Sequence, residues 1–460
     1  MIRLFHVYYS PRTIVLLAVE ILVVISSFLL ATILCFGSTH LCSVLFTTHS
    51  GWYKILAVTG IAIVCLYYFD LYDLQRIAVP RETYYRLFAG LGTFSLVLAA
   101  FGFLFPTFML GKGAYVTGLA ILTFYLLFWR IFHSWLMGTP YLSEHIYVLG
   151  TGPSATRVVD ALRSHRGVGV KLVGWAGYEA DRPMTREALA DSLAAVRGTR
   201  QLDRVIVALP DRRSFMPLRE LLDMRLSGVK IDNAAEFEEQ LMGKIDVDSL
   251  DPSWLIFSDG FRLRPNVMLT ERYLSVLVSA CALLFILPLV PFIALAIKLS
   301  SPGPVLYRQK RVGRDGHIFD CYKFRTMHTN AEAHTGPTWA NDNDSRITRV
   351  GYFLRRSRLD EIPQLWNVLR GEMSFVGPRP ERPEFVKWLS QEIPYYNLRH
   401  IVRPGITGWA QVNYPYGASL AESKEKLCYD LYYIKHLSVL FDLFIMFRTL
   451  KIVLLGRGSR

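Results

Sequence analysis

Four apolar runs open the chain, at residues 14–36, 54–69, 87–110 and 114–137. Each approaches the roughly 20 residues a helix needs to cross the hydrocarbon core of a bilayer. The polar stretches between them differ in charge. Loop 70–86 carries Arg76, Arg81 and Arg86, loop 37–53 carries no Lys or Arg, and the third junction carries only Lys112. Positive charge marks cytoplasmic loops, so Arg3, Arg12 and loop 70–86 are expected inside, and four crossings return the chain to the cytoplasm near residue 138. Glu20 lies within the first run, and an acid there either pairs with another buried group or reaches out to the interface.

The pattern then changes. His145-Ile-Tyr-Val-Leu149, Val170-Lys-Leu-Val-Gly-Trp175 and Arg204-Val-Ile-Val-Ala-Leu209 read as strands, with a helix expected over Thr156–Ser164. Strands alternating with helical stretches imply a parallel sheet, hence a Rossmann-like α/β module over 144–250. Its turn Gly150-Thr-Gly-Pro-Ser-Ala155 resembles a phosphate-holding dinucleotide fingerprint. The acid expected about 20 residues on is missing, since Glu179 and Asp181 come late. The turn therefore allows either a nucleotide site or a structural module, and no residue is assigned to a cofactor.

A fifth apolar run, 273–299, contains Pro288 and Pro291. A full crossing would export the basic region that follows. Proline removes a helical hydrogen bond and bends the chain, so the run is expected to enter the bilayer, turn at Pro288 and leave on the same side. The last apolar stretch, Leu437–Leu455, is interrupted by Arg448 and Lys451 and is expected along the membrane surface.

Composition agrees with a membrane protein: 52% of residues are hydrophobic and 19% charged, with a formal net charge of +13. Soluble domains carry about 25% charged residues. The basic excess is assigned to lipid and phosphate; no recognised fold or basic-aromatic platform supports nucleic-acid binding. Six cysteines, at 35, 42, 65, 281, 321 and 428, form no CxxC pair, which argues against a zinc site.

Chemistry-bearing residues cluster after residue 300. One stretch runs from Ser301-Pro-Gly-Pro to Tyr322-Lys-Phe-Arg-Thr-Met327, with Lys323 and Arg325 in its last part. A second holds the carboxylates Asp360 and Glu361 behind Arg355, Arg356 and Arg358, followed by Ile362, Leu365, Trp366 and Leu369 at helical spacing. Pro363 fits a first helical turn and Gly371 a helix end, so the dyad is expected at a helix N-terminus. There it either caps the helix or, among arginines that suit phosphate, shares a divalent metal with a diphosphate or acts as a nucleophile. The arginines equally suit anionic headgroups. Gly377-Pro-Arg379-Pro380 and Arg403-Pro-Gly405 are rigid turns that either present an arginine or simply turn. Trp409 and Tyr414 either stack on a base or sugar or pack in the core.

Three of these motifs, YKFRTM, LDEIPQLWNVLRGEMSFVGPRP and RPGITGWAQVN, occur in order. Through them residues 273–455 resemble the bacterial sugar transferase family, the monotopic polyprenyl-phosphate phosphoglycosyl transferases, and among these the large exopolysaccharide-initiating type. The resemblance implies a membrane protein of α plus α/β type. It has a four-helix transmembrane region over 1–140, the Rossmann-like module over 144–250, and a mixed catalytic domain over 268–460 with re-entrant helix 273–299. It implies transfer of a sugar-1-phosphate from a UDP-sugar to undecaprenyl phosphate, at the cytoplasmic face of the bacterial inner membrane. Asp360 matches the nucleophile and Glu361 its partner, with Mg2+ held at both. Lys323, Arg325, Arg355, Arg379 and Arg403 match basic motif positions suited to phosphate or nucleotide, with Trp409 as a further substrate contact. Pro288, supported by Pro291, matches the membrane bend, where Leu287 stands in place of a frequent serine. Large members suggest a homodimer. The alternatives are direct displacement without a covalent intermediate and a non-catalytic membrane scaffold that senses nucleotides.

Overall fold

The computed structural model describes residues 2–37, 51–73, 80–106, 111–137, 143–164, 170–176, 185–197, 202–209, 215–250, 255, 258, 260–329, 344–414 and 419–455. Arg76, Cys42, Glu179 and Asp181 lie outside them. Two compact units form: Met1–Leu4 with Tyr8–Phe237, and Phe5–Val7 with Glu238–Arg460.

In the first unit the opening apolar runs form helices α1 (Pro11–Phe36), α2 (Gly51–Tyr68), α3 (Pro80–Leu104) and α4 (Lys112–Met137). Helix α1 packs on α2 and α4, and α2 on α3. Their shared core is built from Val24, Phe28, Ile55, Val58, Leu66, Leu87, Phe94, Leu122 and Leu126. The opposite faces leave Leu22, Leu96, Val116 and Phe124 exposed, the distribution expected of helices solvated by hydrocarbon rather than water. With the helix described below, five helices among the described residues are long and apolar enough to cross a membrane. Together with a sheet-containing α/β region, they are consistent with a membrane protein.

Glu20 does not reach for the interface. It is fully buried and lies 2.7 Å from Nε of Arg130 on α4; Arg130 also donates to the Leu71 carbonyl at 2.9 Å. A desolvated charge is tolerated only with a partner.

The α/β region has strands β1 (Glu144–Leu149), β2 (Val170–Ala176), β3 (Arg204–Val207) and β4 (Lys230–Asn233), with α5 (Pro153–Ser164), α6 (Arg186–Arg197) and α7 (Leu218–Leu226) between them. All pairings are parallel, in the order β2-β1-β3-β4. The β3 strand is buried throughout, as its run of branched residues requires of a central parallel strand. The boundary between the units falls within helix α8 (Ala234–Met242), between Phe237 and Glu238.

The second unit begins its long helix at Pro265, earlier than hydropathy suggests. Helix α9 (Pro265–Ile286) carries Thr270, Glu271 and Arg272 ahead of its long apolar run, and Glu271, Ser275 and Ser279 are buried. A single narrower helical turn at Leu287–Leu289, flanked by right-handed helical backbone at Ile286 and Val290, interrupts it, and α10 (Val290–Ser300) follows with Pro291 in its first turn. The break coincides with Pro288, which cannot donate to the carbonyl one turn back. Both limbs are anchored to the same layer. Arg272 of α9 donates to the carbonyls of Val368 and Leu369. From α10, Ile293 and Ile297 join a cluster with Phe324, Leu354, Ile362 and Leu365.

That layer contains the hairpin β5 (Leu306–Val312) and β6 (Ile318–Phe324), closed by Asp315 and Gly316 at positive φ. Helices α11 (Arg349–Arg356) and α12 (Gln364–Arg370) follow, then β7 (Ser374–Val376) and α13 (Pro383–Glu392). Strand β8 (Gly405–Thr407) pairs parallel with β7. Helices α14 (Trp409–Asn413), α15 (Leu420–Lys435) and α16 (Val439–Leu454) complete the unit around Leu431, Tyr432, Tyr433 and Phe441.

Glu20→Gln leaves Arg130 buried without a counter-charge and should cost about 3–5 kcal/mol. Glu20→Leu with Arg130→Met should recover most of it. Thermal melting in nanodiscs tests this, and parental melting of Glu20→Gln would show that the pair contributes nothing.

Candidate active site

The dyad is set by a sharp reversal. Thr348 caps α11, its Oγ1 accepting from the Gly351 amide at 2.9 Å. Gly351 lies so near the Thr326 carbonyl that a Cβ would stand 2.0 Å from its oxygen, so α11 seats directly on the end of β6. After α11 the backbone of Arg358 is left-handed (φ 59, ψ 13), a conformation that costs a non-glycine residue roughly 1–2 kcal/mol. A single tight turn, Leu359–Glu361, follows, and then Pro363 leads into α12. The dyad thus precedes the helix instead of capping it, and Gly371 closes the helix with φ 92, as its composition implies.

Both acids are buried, at 8% and 7% exposure, although arginines surround them. Glu361 Oε1 accepts from Arg379 at 2.6 Å and Lys323 at 3.0 Å, and Arg358 lies 3.7 Å from Oε2. Burial pushes the Glu361 carboxyl up, but Arg379, Lys323 and Arg358 together outweigh it and hold the group well below the usual carboxylate range. Asp360 behaves oppositely. Burial and then the neighbouring Glu361 charge raise its pKa, opposed by Lys323, Arg355 and Arg379. Among the described residues no hydrogen-bond donor engages the Asp360 carboxylate. The two acids are therefore held differently, one locked as an anion and one uncommitted.

The expected site residues separate into two groups. Lys323, Arg355 and Arg379 gather at the dyad, Arg355 also donating from Nε to Thr326 Oγ1 at 2.9 Å. Arg325 does not join them. It is buried and donates to the Ser301 carbonyl at 2.7 Å and to Ser301 Oγ at 3.0 Å, capping the end of α10. Arg403 donates from Nε to the Gly371 carbonyl at 3.1 Å, at the end of α12. Trp409 lies in the core, its indole donating to the Gly243 carbonyl at 2.7 Å and its ring against Tyr432 and Phe441. Of the two roles open to it, packing is the one it fills here; Tyr414 stacks on Tyr429. A conjugated ring with one polar edge satisfies the same sequence pattern in either role.

Residues the sequence reading did not single out hold the arginine loop. Arg399 is buried and donates to the Arg379 carbonyl at 3.0 Å and the Tyr396 hydroxyl at 2.7 Å, with Asp430 at 2.8 Å. Arg311 donates to the Pro380 carbonyl at 2.9 Å. Gly405 donates to the Pro378 carbonyl at 2.9 Å, and a Cβ on it would lie 2.1 Å from the Gly377 nitrogen. The loop presenting Arg379 is thus fixed from three directions. The one sequence signal for Arg399 is its spacing of three from Tyr396, too common to read alone.

The donor set fits Mg2+, which prefers one or two carboxylates completed by phosphate oxygens and water. Asp360 and Glu361 could supply the carboxylates, and among the described residues no group of three or more acids, histidines or cysteines offers an all-protein cage.

Comparison with known proteins matches residues 266–456 to the bacterial sugar transferase family model. The exopolysaccharide production protein PSS of Rhizobium leguminosarum bv. phaseoli is 41% identical over 187 residues, 40% of this chain and 94% of that protein. The chain belongs to the bacterial sugar transferase family. A UDP-N-acetylgalactosamine-undecaprenyl-phosphate N-acetylgalactosaminephosphotransferase of Aeromonas hydrophila is 41% identical over 242 residues, 53% of this chain and 56% of that one. A UDP-glucose:undecaprenyl-phosphate glucose-1-phosphate transferase of Xanthomonas campestris pv. campestris is 34% identical over 324 residues, 66% of each. The chain thus spans between 56% and 66% of the length of these two relatives. The region matched to the sugar transferase family begins at the foot of α9, so it includes the interrupted helix as well as the dyad.

Arg399→Lys keeps the charge but cannot span the Arg379 carbonyl, Tyr396 and Asp430 together. Thermal melting in detergent should fall by an amount equivalent to about 1–3 kcal/mol; unchanged melting would show that the strut is dispensable.

Proposed function

We propose that this sugar transferase moves a sugar-1-phosphate from a UDP-sugar to undecaprenyl phosphate, releases UMP and so begins exopolysaccharide or related glycan assembly. Its relatives support the reading, since the names of those from Aeromonas and Xanthomonas specify UDP-sugar donors and an undecaprenyl-phosphate acceptor. The observation that carries it is the asymmetric dyad, a carboxylate without a hydrogen bond beside one held by three cations.

In the first step a carboxylate oxygen of Asp360 attacks the sugar-bearing phosphorus. The bond from that phosphorus to the bridging oxygen breaks, and UMP leaves with the electron pair. In the second step a phosphate oxygen of undecaprenyl phosphate attacks the same phosphorus, the Asp360–phosphorus bond breaks and the carboxylate is restored. Phosphoryl transfer depends chiefly on positioning and charge neutralisation. Arg379, on its braced loop, Lys323 and Arg355 supply fixed positive charge where the diphosphate must lie. Bound at Asp360 and Glu361, Mg2+ supplies further neutralisation of the diphosphate.

The membrane arrangement belongs to the same proposal. Helices α1–α4 cross the bilayer, residues 144–250 form a Rossmann-like module, and α9 and α10 enter and leave on the cytoplasmic face. Re-entrance is supported by the anchoring of both limbs. In an unbroken helix Arg272 and Ile297 would stand roughly 37 Å apart. Yet Arg272 bonds the end of α12, about 10 Å long, and Ile297 shares a cluster with Leu365 of that same helix. A bend keeps the dyad near headgroup level, where a water-soluble donor and a lipid acceptor can meet.

UMP release from a panel of UDP-sugars, by protein in nanodiscs with Mg2+ and undecaprenyl phosphate, tests the reaction. Asp360→Asn should reduce release to background while melting like the parent. Appreciable turnover by that variant would remove the nucleophile, and no release by folded parent protein with any donor would favour the scaffold.

The pH profile gives a separate test. Asp360 must be ionised to attack, and its pKa is raised. The rate should therefore fall with acidification through a limb above the ordinary aspartate range. Lys323 lowers that pKa, so Lys323→Met should move the limb to higher pH; an unmoved limb would assign it to another group.

A further inference from the structure

The dyad lies in a surplus of positive charge. Lys323, Arg358 and Arg379 face Glu361, and Arg355 joins Lys323 and Arg379 in acting on Asp360. Four cations thus confront two carboxylates, a field that repels a free divalent cation and attracts a diphosphate. The contacts on Glu361 are unequal. Oε1 takes two hydrogen bonds, from Lys323 and Arg379. Arg358 stands 3.7 Å from Oε2, beyond hydrogen-bond length. Arg379 is anchored through its loop, whereas Arg358 is set beside the dyad by its own left-handed backbone. Oε2 is therefore the oxygen most open to a metal, and Arg358 is the cation that must give way.

We propose that Arg358 shields Glu361 Oε2 from free divalent cations and transfers to the donor's diphosphate when it arrives, so that the metal enters with or after the nucleotide. This rests on the reading of the dyad as a metal–diphosphate site. Before the donor binds, the guanidinium faces the carboxylate. Afterwards the phosphates offer Arg358 two-pronged acceptors, their charge reverses the local field, and Oε2 becomes available. Arg358 is in this sense a positioning residue for the metal and a binding residue for the diphosphate.

The test uses the full chain in phosphatidylcholine nanodiscs, with Mn2+ as the metal probe and UDP as the diphosphate. Bound Mn2+ is read by electron paramagnetic resonance, without turnover. The parent protein should take up one Mn2+ per chain at least about tenfold more tightly with UDP than without, the scale expected when a unit charge is offset a few ångströms from the ion. Arg358→Asn, whose new residue tolerates the left-handed backbone, should bind free Mn2+ about tenfold more tightly than the parent and UDP about tenfold more weakly. Arg358→Lys should restore the parent's preference in part. Equal Mn2+ affinity with and without UDP in the parent would overturn the proposal. So would an Arg358→Asn protein of parental melting temperature with both affinities unchanged. If Arg358→Asn fails to fold, the parent measurement together with Arg358→Lys decides. UDP-dependent Mn2+ uptake by protein that releases no UMP would support the exchange while counting against the transfer reaction, so the two fail separately.

Discussion

The buried carboxylate of Glu361 is the point on which the second unit is assembled. It joins β6 through Lys323, the loop 377–380 through Arg379, and the reversal after α11 through Arg358. Lys323 and Arg379 come from segments distant in sequence, and their shared charge partner adds to the apolar cluster of Phe324, Leu354, Ile362 and Leu365 that packs the same elements together. Each cation alone would leave an acid buried at a cost, and together they more than offset it. The Asp360 carboxylate inherits its environment from this arrangement. It shares the burial and the cations of its neighbour but takes none of the hydrogen bonds.

Around that centre, arginine acts as a structural element more often than its charge would suggest. Arg272, Arg325 and Arg403 each donate to carbonyls at a helix end, and Arg399 and Arg311 hold the backbone of the arginine loop. A guanidinium can serve several acceptors at once from one planar group, so it suits places where chain ends meet. Arg448 follows the same pattern: it donates to Asn413 at 2.8 Å and lies over the Trp409 ring instead of pointing towards headgroups. A good part of the basic excess is thus spent inside the fold.

This explains which features were legible beforehand. Apolar runs, strand patterns and prolines report on the local chain, so α1–α4, α5, the β1–β3 strands and the break at Pro288 could be read directly, whereas α6, α7, α11, α13 and α15 were not. The Asp360–Glu361 pair stands beside Arg358 in sequence and in space, whereas Lys323 and Arg379, 38 and 18 residues from Glu361, join it only in the fold. The roles of Arg325, Arg403 and Trp409 could not be read, because a motif position says which residue is present, not whether it faces a ligand or a carbonyl of its own chain. Arg399 was hidden for the same reason, its partners Arg379 and Asp430 lying 20 and 31 residues away. The left-handed backbone at Arg358 was invisible, since arginine is not a residue that announces such a turn.

The two limbs of the interrupted helix are unequal. Helix α10 has 11 residues, about 16 Å, roughly half of a 30 Å hydrocarbon core. On the re-entrant arrangement the short limb samples one leaflet only, and its far end is tied to β6 by Arg325, two residues from Lys323. Lateral pressure in that leaflet would then bear on the strand that carries Lys323, the partner of Glu361. On that arrangement the composition of a single monolayer would become a variable of the proposed chemistry.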